Sequence, residues 1–260
     1  MDTFLLFMLV GLLAQAVDGA LGMAYGVISS SVLLAFGVPP ATASASVHGA
    51  EVFTTAASAS SHVFNRNVEW RLFVPLALAG VIGGVAGAYL LAGLEGDVVK
   101  PFIVGYLALM GFYILWRATH DVKPKKIRPP WIVAPLGVVG GFFDAIGGGG
   151  WGPTVSSAMV GAGEEPRRAI GTVNTAEFFL TVAISAAFLW ALLTGHWEQA
   201  GALRDHAWAV AGLVAGGLIA APFAGLITRK VPQRAMIYVV GGLLVVLAGF
   251  QGLQLAGVMA

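Results

Sequence analysis

Four residues of this chain have types and positions suited to chemistry. Asp18, Glu51, Asp144 and Glu177 are the only charged side chains expected to lie inside the hydrophobic depth of its long apolar runs. An ionisable group at bilayer depth costs several kcal/mol and marks a functional site by default. All four are acids, and they form two pairs, each separated by 126 positions. Next to Asp18 and Asp144 lie the glycine-rich breaks Val17-Asp18-Gly19-Ala20-Leu21-Gly22 and Asp144-Ala145-Ile146-Gly147-Gly148-Gly149-Gly150. A helix that restarts after such a break points an amide-rich, positive N-terminus into the membrane, which suits an anion without any basic side chain. The candidate substrate-binding residues are therefore Gly22, Tyr25, His48, Gly148, Gly149, Gly150, Trp151, Thr172 and Asn174, with Ser30 and Ser156 as further hydroxyls. The coupling carboxylates are Glu51 and Glu177, with Asp18 and Asp144. A charged Glu51 or Glu177 would repel an anion in a low-dielectric cavity, whereas a protonated one could donate a hydrogen bond to it, so proton binding there is expected to accompany anion binding. Sodium at Asp18 and Asp144 is a variant. In a blander reading, each of the four carboxylates accepts exposed amides at a glycine tip and simply holds the broken helix together. His48 and Tyr25, Trp151 and Asn174 likewise have a plain packing reading.

The elements that position these residues follow from where the remaining charges fall. The chain has 260 residues, 58% of them hydrophobic and 10% charged, against about 25% charged for a soluble domain. That excludes a soluble enzyme, a nucleic-acid binder and a disordered scaffold, and leaves an all-α polytopic membrane protein. The stretches 41–63, 72–94, 98–116, 169–194, 206–228 and 235–257 are each about the 20 residues needed to span a bilayer. Segments 3–37 and 131–163 are broken midway into arms of about 12–16 residues, and an arm of about 15 helical residues rises about 22 Å, short of a crossing. They are read as re-entrant helical hairpins, tolerated where the exposed backbone is buried in protein or lines a cavity. Returning both hairpins to their own side divides the fourteen bases twelve to two, with the basic 118–130 loop in the cytoplasm and both termini outside; treating them as single crossings divides the bases eight to six. Two short full crossings would give the same parity, so arm length alone favours the re-entrant form.

Residues 18–57 laid on 144–183 give 14 identities in 40, including Asp18/Asp144, Gly22/Gly148, Pro40/Pro166 and Glu51/Glu177. His48 and Asn174, and Tyr25 and Trp151, also correspond. Later segments match at a shift of 132, Ala79-Gly80 with Ala211-Gly212. Each half, 1–117 and 131–260, is then one hairpin plus three crossings, and an odd number of crossings inverts the second half. Two inverted repeats with interrupted helices are a common secondary-transporter architecture, with the substrate at the repeat interface. Gly80, Gly83, Gly84 and Gly87, with Gly212, Gly216 and Gly217, are expected to be close helix-packing surfaces.

The run Gly147-Gly148-Gly149-Gly150-Trp151-Gly152-Pro153, followed by Gly161-Ala162-Gly163 and Ala169-Ile170-Gly171-Thr172, resembles the signature of the sulfite exporter TauE/SafE family of anion transporters. Asp18-Gly19-Ala20-Leu21-Gly22-Met23-Ala24-Tyr25-Gly26 and Ala43-Ser44-Ala45-Ser46-Val47-His48-Gly49-Ala50-Glu51 resemble one branch of it; Leu21-Gly22-Met23-Ala24 stands where many members carry another glycine cluster. The resemblance covers essentially the whole chain. It implies a bacterial inner-membrane carrier of sulfite, organosulfonates or related small anions. A passive anion channel and a carrier of a different small anion, such as a carboxylate, are the alternatives; a homodimer is open.

Other motifs carry less. Gly147-x-Gly149-x-x-Gly152 formally fits a dinucleotide fingerprint but lacks a βαβ unit. Residues 1–20 imitate a signal peptide without a basic n-region and are read as the first hairpin's leading arm. With no cysteine there is no disulfide or thiol chemistry. No metal-ligand spacing, cofactor motif or nucleophile elbow is visible, so no enzyme is expected.

Overall fold

The computed structural model describes residues 2–21, 23–120, 130–162, 164–197, 206–221 and 233–258, and every element among them is helical. In chain order these are α1 (Asp2–Leu21), α2 (Tyr25–Ala35), α3 (Pro40–Phe64), α4 (Trp70–Ala92), α5 (Gly96–Thr119), a short 3-10 turn at Pro130–Ile132, α6 (Val133–Gly147), a π-helical turn at Gly152–Ser156, α7 (Ser157–Gly161), α8 (Pro166–Leu193), α9 (Ala207–Ala220) and α10 (Gln233–Leu255). Pro40 and Pro166 open α3 and α8 at the first turn, where a missing N–H costs nothing. The sequence places helix breaks in 3–37 and 131–163, and both are present: α1 stops at Leu21 and α2 starts at Tyr25, while α6 stops at Gly147 and the π-turn starts at Gly152. Gly22 lies outside the described residues, as does most of the 118–130 basic loop.

Polarity runs inside out relative to a soluble protein. Large apolar side chains face outward, among them Leu78 and Ile82 on α4, Phe102 and Leu109 on α5, and Val239 and Val246 on α10. Gln15, Asp18, Ser44, His48, Glu51, Asp144, Asn174 and Glu177 are buried. Exposed Trp70, Trp116, Trp131, Trp190 and Trp208 sit near helix ends, where the amphipathic indole suits the membrane interface. Four described helices are long and apolar enough to cross a membrane, within 70–92, 96–119, 167–193 and 237–255. Two of the six expected crossings do not meet that standard. Helix α3 is long enough at 25 residues, but its inward face carries Thr42, Ser44, Ser46, His48, Glu51, Thr54 and Thr55, which lowers its hydropathy. For α9, the chain beyond residue 221 lies outside the described residues.

Helix α1 has 20 residues, but its apolar part, Thr3–Asp18, is among the shorter apolar helices and does not count with the four above. Helices α2 and α6, with 11 and 15 residues, remain short.

Packing is set by glycine. Helix α1 lies along α9, and α6 along α4. A Cβ on Gly216 would fall 1.9 Å from the Met8 carbonyl oxygen, one on Gly212 2.5 Å from that of Phe4, and one on Gly83 2.0 Å from that of Val138. Gly83, Gly87, Gly212 and Gly216 therefore let backbones touch, as small residues do in membrane helix pairs, while Gly80, Gly84 and Gly217 make room for side chains. Helices α3 and α8 cross at the centre, and α5 packs on α10. At the α3–α8 crossing the hydroxyls of Thr55 and Thr181, 126 positions apart, are 3.4 Å from each other.

Candidate functional site

Each break is tied by its aspartate in the same way. Asp18 Oδ1 accepts the Tyr25 amide at 3.4 Å, and Asp144 Oδ1 accepts the Trp151 amide at 2.8 Å. Both bonds span seven residues and reach the first amide of the restarting helix, a donor that has no partner within the helix. The expectation that these helix starts offer free amides is thus not met at Tyr25 and Trp151, because the chain's own carboxylates accept them. The plainer reading of the aspartates, as holders of the broken helices, has direct geometric support.

The second break is built from glycines in conformations other residues avoid. Gly148 has φ +66° and Gly149 φ +149°. The Gly149 amide folds back onto the Asp144 carbonyl at 3.1 Å. Pro153 then removes one helical donor, and the restart takes a π-helical turn before α7, an irregularity frequent at functional sites. At the first break the position equivalent to Gly150 is Ala24, which nonetheless adopts φ 111°. A non-glycine residue held there stores about 1–3 kcal/mol of strain. Ala24→Gly should therefore raise stability by about 1 kcal/mol, read as a higher unfolding temperature of the detergent-solubilised protein; no rise would mean the strain is not there.

The two breaks meet. A Cβ on Gly26, in the first turn of α2, would lie 2.7 Å from Gly149 Cα, 3.0 Å from the Gly148 carbonyl oxygen and 2.9 Å from Glu51 Oε1. Ser44 of α3 donates its hydroxyl to the Ala145 carbonyl at 2.5 Å, and His48 Nε2 lies 3.1 Å from Asp144 Oδ2. All four intramembrane acids are buried, and they lie within electrostatic reach of one another: Glu51 of Asp144 and Asp18, Glu177 of all three others. Among the described residues no Lys or Arg joins them.

The other candidates divide. The Tyr25 hydroxyl donates to the Leu213 carbonyl at 3.1 Å and the Trp151 indole N–H to the Val173 carbonyl at 3.2 Å, while the Trp151 ring packs over Gly80. Both rings anchor their restarting helix to a neighbour. Ser30 donates to the Gly26 carbonyl one turn back, and buried Ser156 also has a partner. The Thr172 hydroxyl is engaged at the start of α4, accepting the Glu69 amide at 2.8 Å. Asn174, the counterpart of His48, does not reach an aspartate; its Nδ2 donates to Ser58 Oγ at 3.0 Å and its Oδ1 is buried without a partner. Gly150 abuts a residue absent from the sequence-based set. Tyr106 of α5 places its hydroxyl where a Gly150 side chain would be, and that oxygen is buried and unpartnered, as is Glu51 Oε2. A tyrosine in an apolar helix gives no sequence signal of its own; only the fold brings it to the break.

Among the described residues no group of three or more metal-ligating side chains is positioned to hold an ion. No solved structure matches the chain. A curated relative, the probable membrane transporter protein YtnM of Bacillus subtilis (strain 168), is 45% identical over 251 residues, which are 94% of this chain and 81% of that protein. The model of the sulfite exporter TauE/SafE family matches residues 7–250. With a match of that extent and a relative of that similarity, the chain belongs to the sulfite exporter TauE/SafE family.

Proposed function

We propose that the protein is a secondary transporter of the bacterial inner membrane that moves sulfite, an organosulfonate or a related small anion, with proton binding at Glu51 and Glu177 coupled to anion binding. The two halves act as inverted repeats, with both termini outside and the paired breaks between the halves. The observation that carries this reading is the meeting of the breaks at Gly26 and Gly149 beside two buried, unpartnered polar groups, Glu51 Oε2 and the Tyr106 hydroxyl. Buried polar atoms are nearly always hydrogen-bonded in native proteins, and an unpaired one on each side of the meeting breaks calls for a ligand, water or ion.

The chemistry of these groups suits an oxyanion. Tyr106 offers an O–H. Glu51 offers one once it is protonated, and repels an anion when it is ionised. Binding a negative charge among four carboxyls without Lys or Arg is favourable only if protons arrive with it, since an isolated buried charge is expensive. Asp18 and Asp144 each already accept an amide, which makes the glutamates the better proton carriers and sodium at the aspartates the weaker variant.

Radiolabelled sulfite flux into proteoliposomes under an imposed pH gradient tests this. Wild-type flux should saturate and respond to the gradient, and excess acetate should compete poorly. Glu51→Gln and Glu177→Gln should each lower gradient-driven flux at least about tenfold, the equivalent of about 1.4 kcal/mol, and flatten its pH dependence. Unchanged flux and pH dependence in both variants would end the coupling idea, and unsaturable flux would favour a channel.

A further inference from the structure

His48 is completely buried on α3, and its hydrogen-bond partners fix where its protons must be. Nδ1 lies 2.8 Å from the Ser44 carbonyl oxygen, which can only accept. It also lies 3.2 Å from Ser44 Oγ, whose one proton goes to the Ala145 carbonyl. Both neighbours therefore accept from Nδ1, so Nδ1 carries a hydrogen. The other nitrogen, Nε2, faces Asp144 Oδ2 at 3.1 Å. A neutral imidazole protonated at Nδ1 presents a bare lone pair at Nε2, and an ionised carboxylate also presents lone pairs. Two acceptors at that distance in a water-poor site repel each other; one proton between them makes a charge-assisted bond.

We propose that His48 and Asp144 share one proton, and that this proton is a latch fastening the second break to α3. The latch rests on the transporter reading above for its purpose, but not for its existence. Asp144 is the joint of the device, because its other oxygen holds the Trp151 amide at the restart of the broken helix. With the proton present, α3, the end of α6 and the helix restart are bonded in series; when it leaves, Nε2 and Oδ2 are driven apart, and of these ties to α3 only the Ser44 hydroxyl bond to the Ala145 carbonyl remains. The site is one-sided. At the equivalent place in the other half stands Asn174, which cannot titrate and bonds Ser58 instead. The ionisable groups around the pair are Asp18 of α1, Tyr25 of α2, Glu51 of α3, Tyr106 of α5 and Glu177 of α8. The described α9 has none, and those of α4, Arg71 and Tyr89, lie toward its ends. His48 is the only base among them.

The proton can be counted in the unliganded wild-type protein. Imidazole 15N resonances, assigned to His48 by their loss in His48→Asn or, if that variant folds poorly, His48→Gln, report the ring; the infrared carboxyl band that disappears in Asp144→Asn reports the acid. At neutral pH either an imidazolium with a carboxylate or a neutral ring with a protonated carboxyl is expected. A neutral ring beside an ionised Asp144 overturns the shared proton. In the pH range where these two signals record loss of the proton, amides 144–151 should exchange with deuterium about tenfold faster, one hydrogen bond's worth, after correction for intrinsic exchange, while those of α4 do not. A counted proton whose loss leaves 144–151 unmoved overturns the latch. Failure of sulfite to be carried would end the functional reading and leave both measurements standing.

Discussion

Gly149→Ala should abolish transport and destabilise the protein by roughly 2–6 kcal/mol, the sum of a dihedral and a steric cost of about 1–3 kcal/mol each. The dihedral part arises because φ +149° is glycine territory. The steric part is direct: an added Cβ would sit 2.2 Å from both the Gly26 carbonyl carbon and the Val27 nitrogen. Those are backbone atoms at the start of a helix and have no rotamer to escape into. Moving them would pull α2 away from the second break and separate the two halves of the candidate site. Gly105→Ala is the control. That glycine lies on α5 with nothing within 4 Å of its would-be Cβ, so alanine should be neutral or stabilising by up to about 1 kcal/mol. Unfolding temperature in detergent and flux in proteoliposomes measure both. A Gly149→Ala protein with wild-type stability and flux would show that the two breaks need not touch.

Asp144→Ala should cost about 3–5 kcal/mol, the range for breaking a buried charged pair. It removes the partner of a fully buried imidazole and the acceptor of the Trp151 amide in one step. The matched substitution Asp18→Ala should cost only about 1 kcal/mol, because the Asp18 bond to Tyr25 is longer, at 3.4 Å, and the counterpart of His48 in the other half turns away to Ser58. The difference between the two variants is the informative quantity. Chemical or thermal unfolding that gave equal losses would mean that the pairing with His48 contributes nothing, and that the two aspartates are equivalent as their sequence positions suggest.

Much of this site was legible before any coordinates. The four acids stood out because charge is so rare in the apolar runs. The breaks stood out because a glycine cluster cannot continue a helix cheaply, and both fall where expected. What the sequence could not carry is which side chain reaches which. His48 and Asn174 occupy equivalent positions, yet one pairs with an aspartate 96 residues away and the other with a serine. That choice depends on packing between the halves, to which periodicity is blind. Tyr106 was hidden for a similar reason: an aromatic among lipid-facing apolar residues looks like any other until the fold lays its hydroxyl against Gly150.

The contact between Thr55 and Thr181 has a mechanical meaning. On the inverted-repeat reading proposed above, a residue that touches its own counterpart lies on the axis exchanging the two halves, and in any rocking of one half against the other that keeps this axis, displacement vanishes on it and grows with distance. Glu51 and Glu177 are one helical turn from that contact, and so near the fulcrum on that reading. On that reading, a carrier built this way would leave the two carboxyls proposed to bind protons almost stationary while its halves rock, so a bound proton would change the compartment it sees without itself being moved across the membrane.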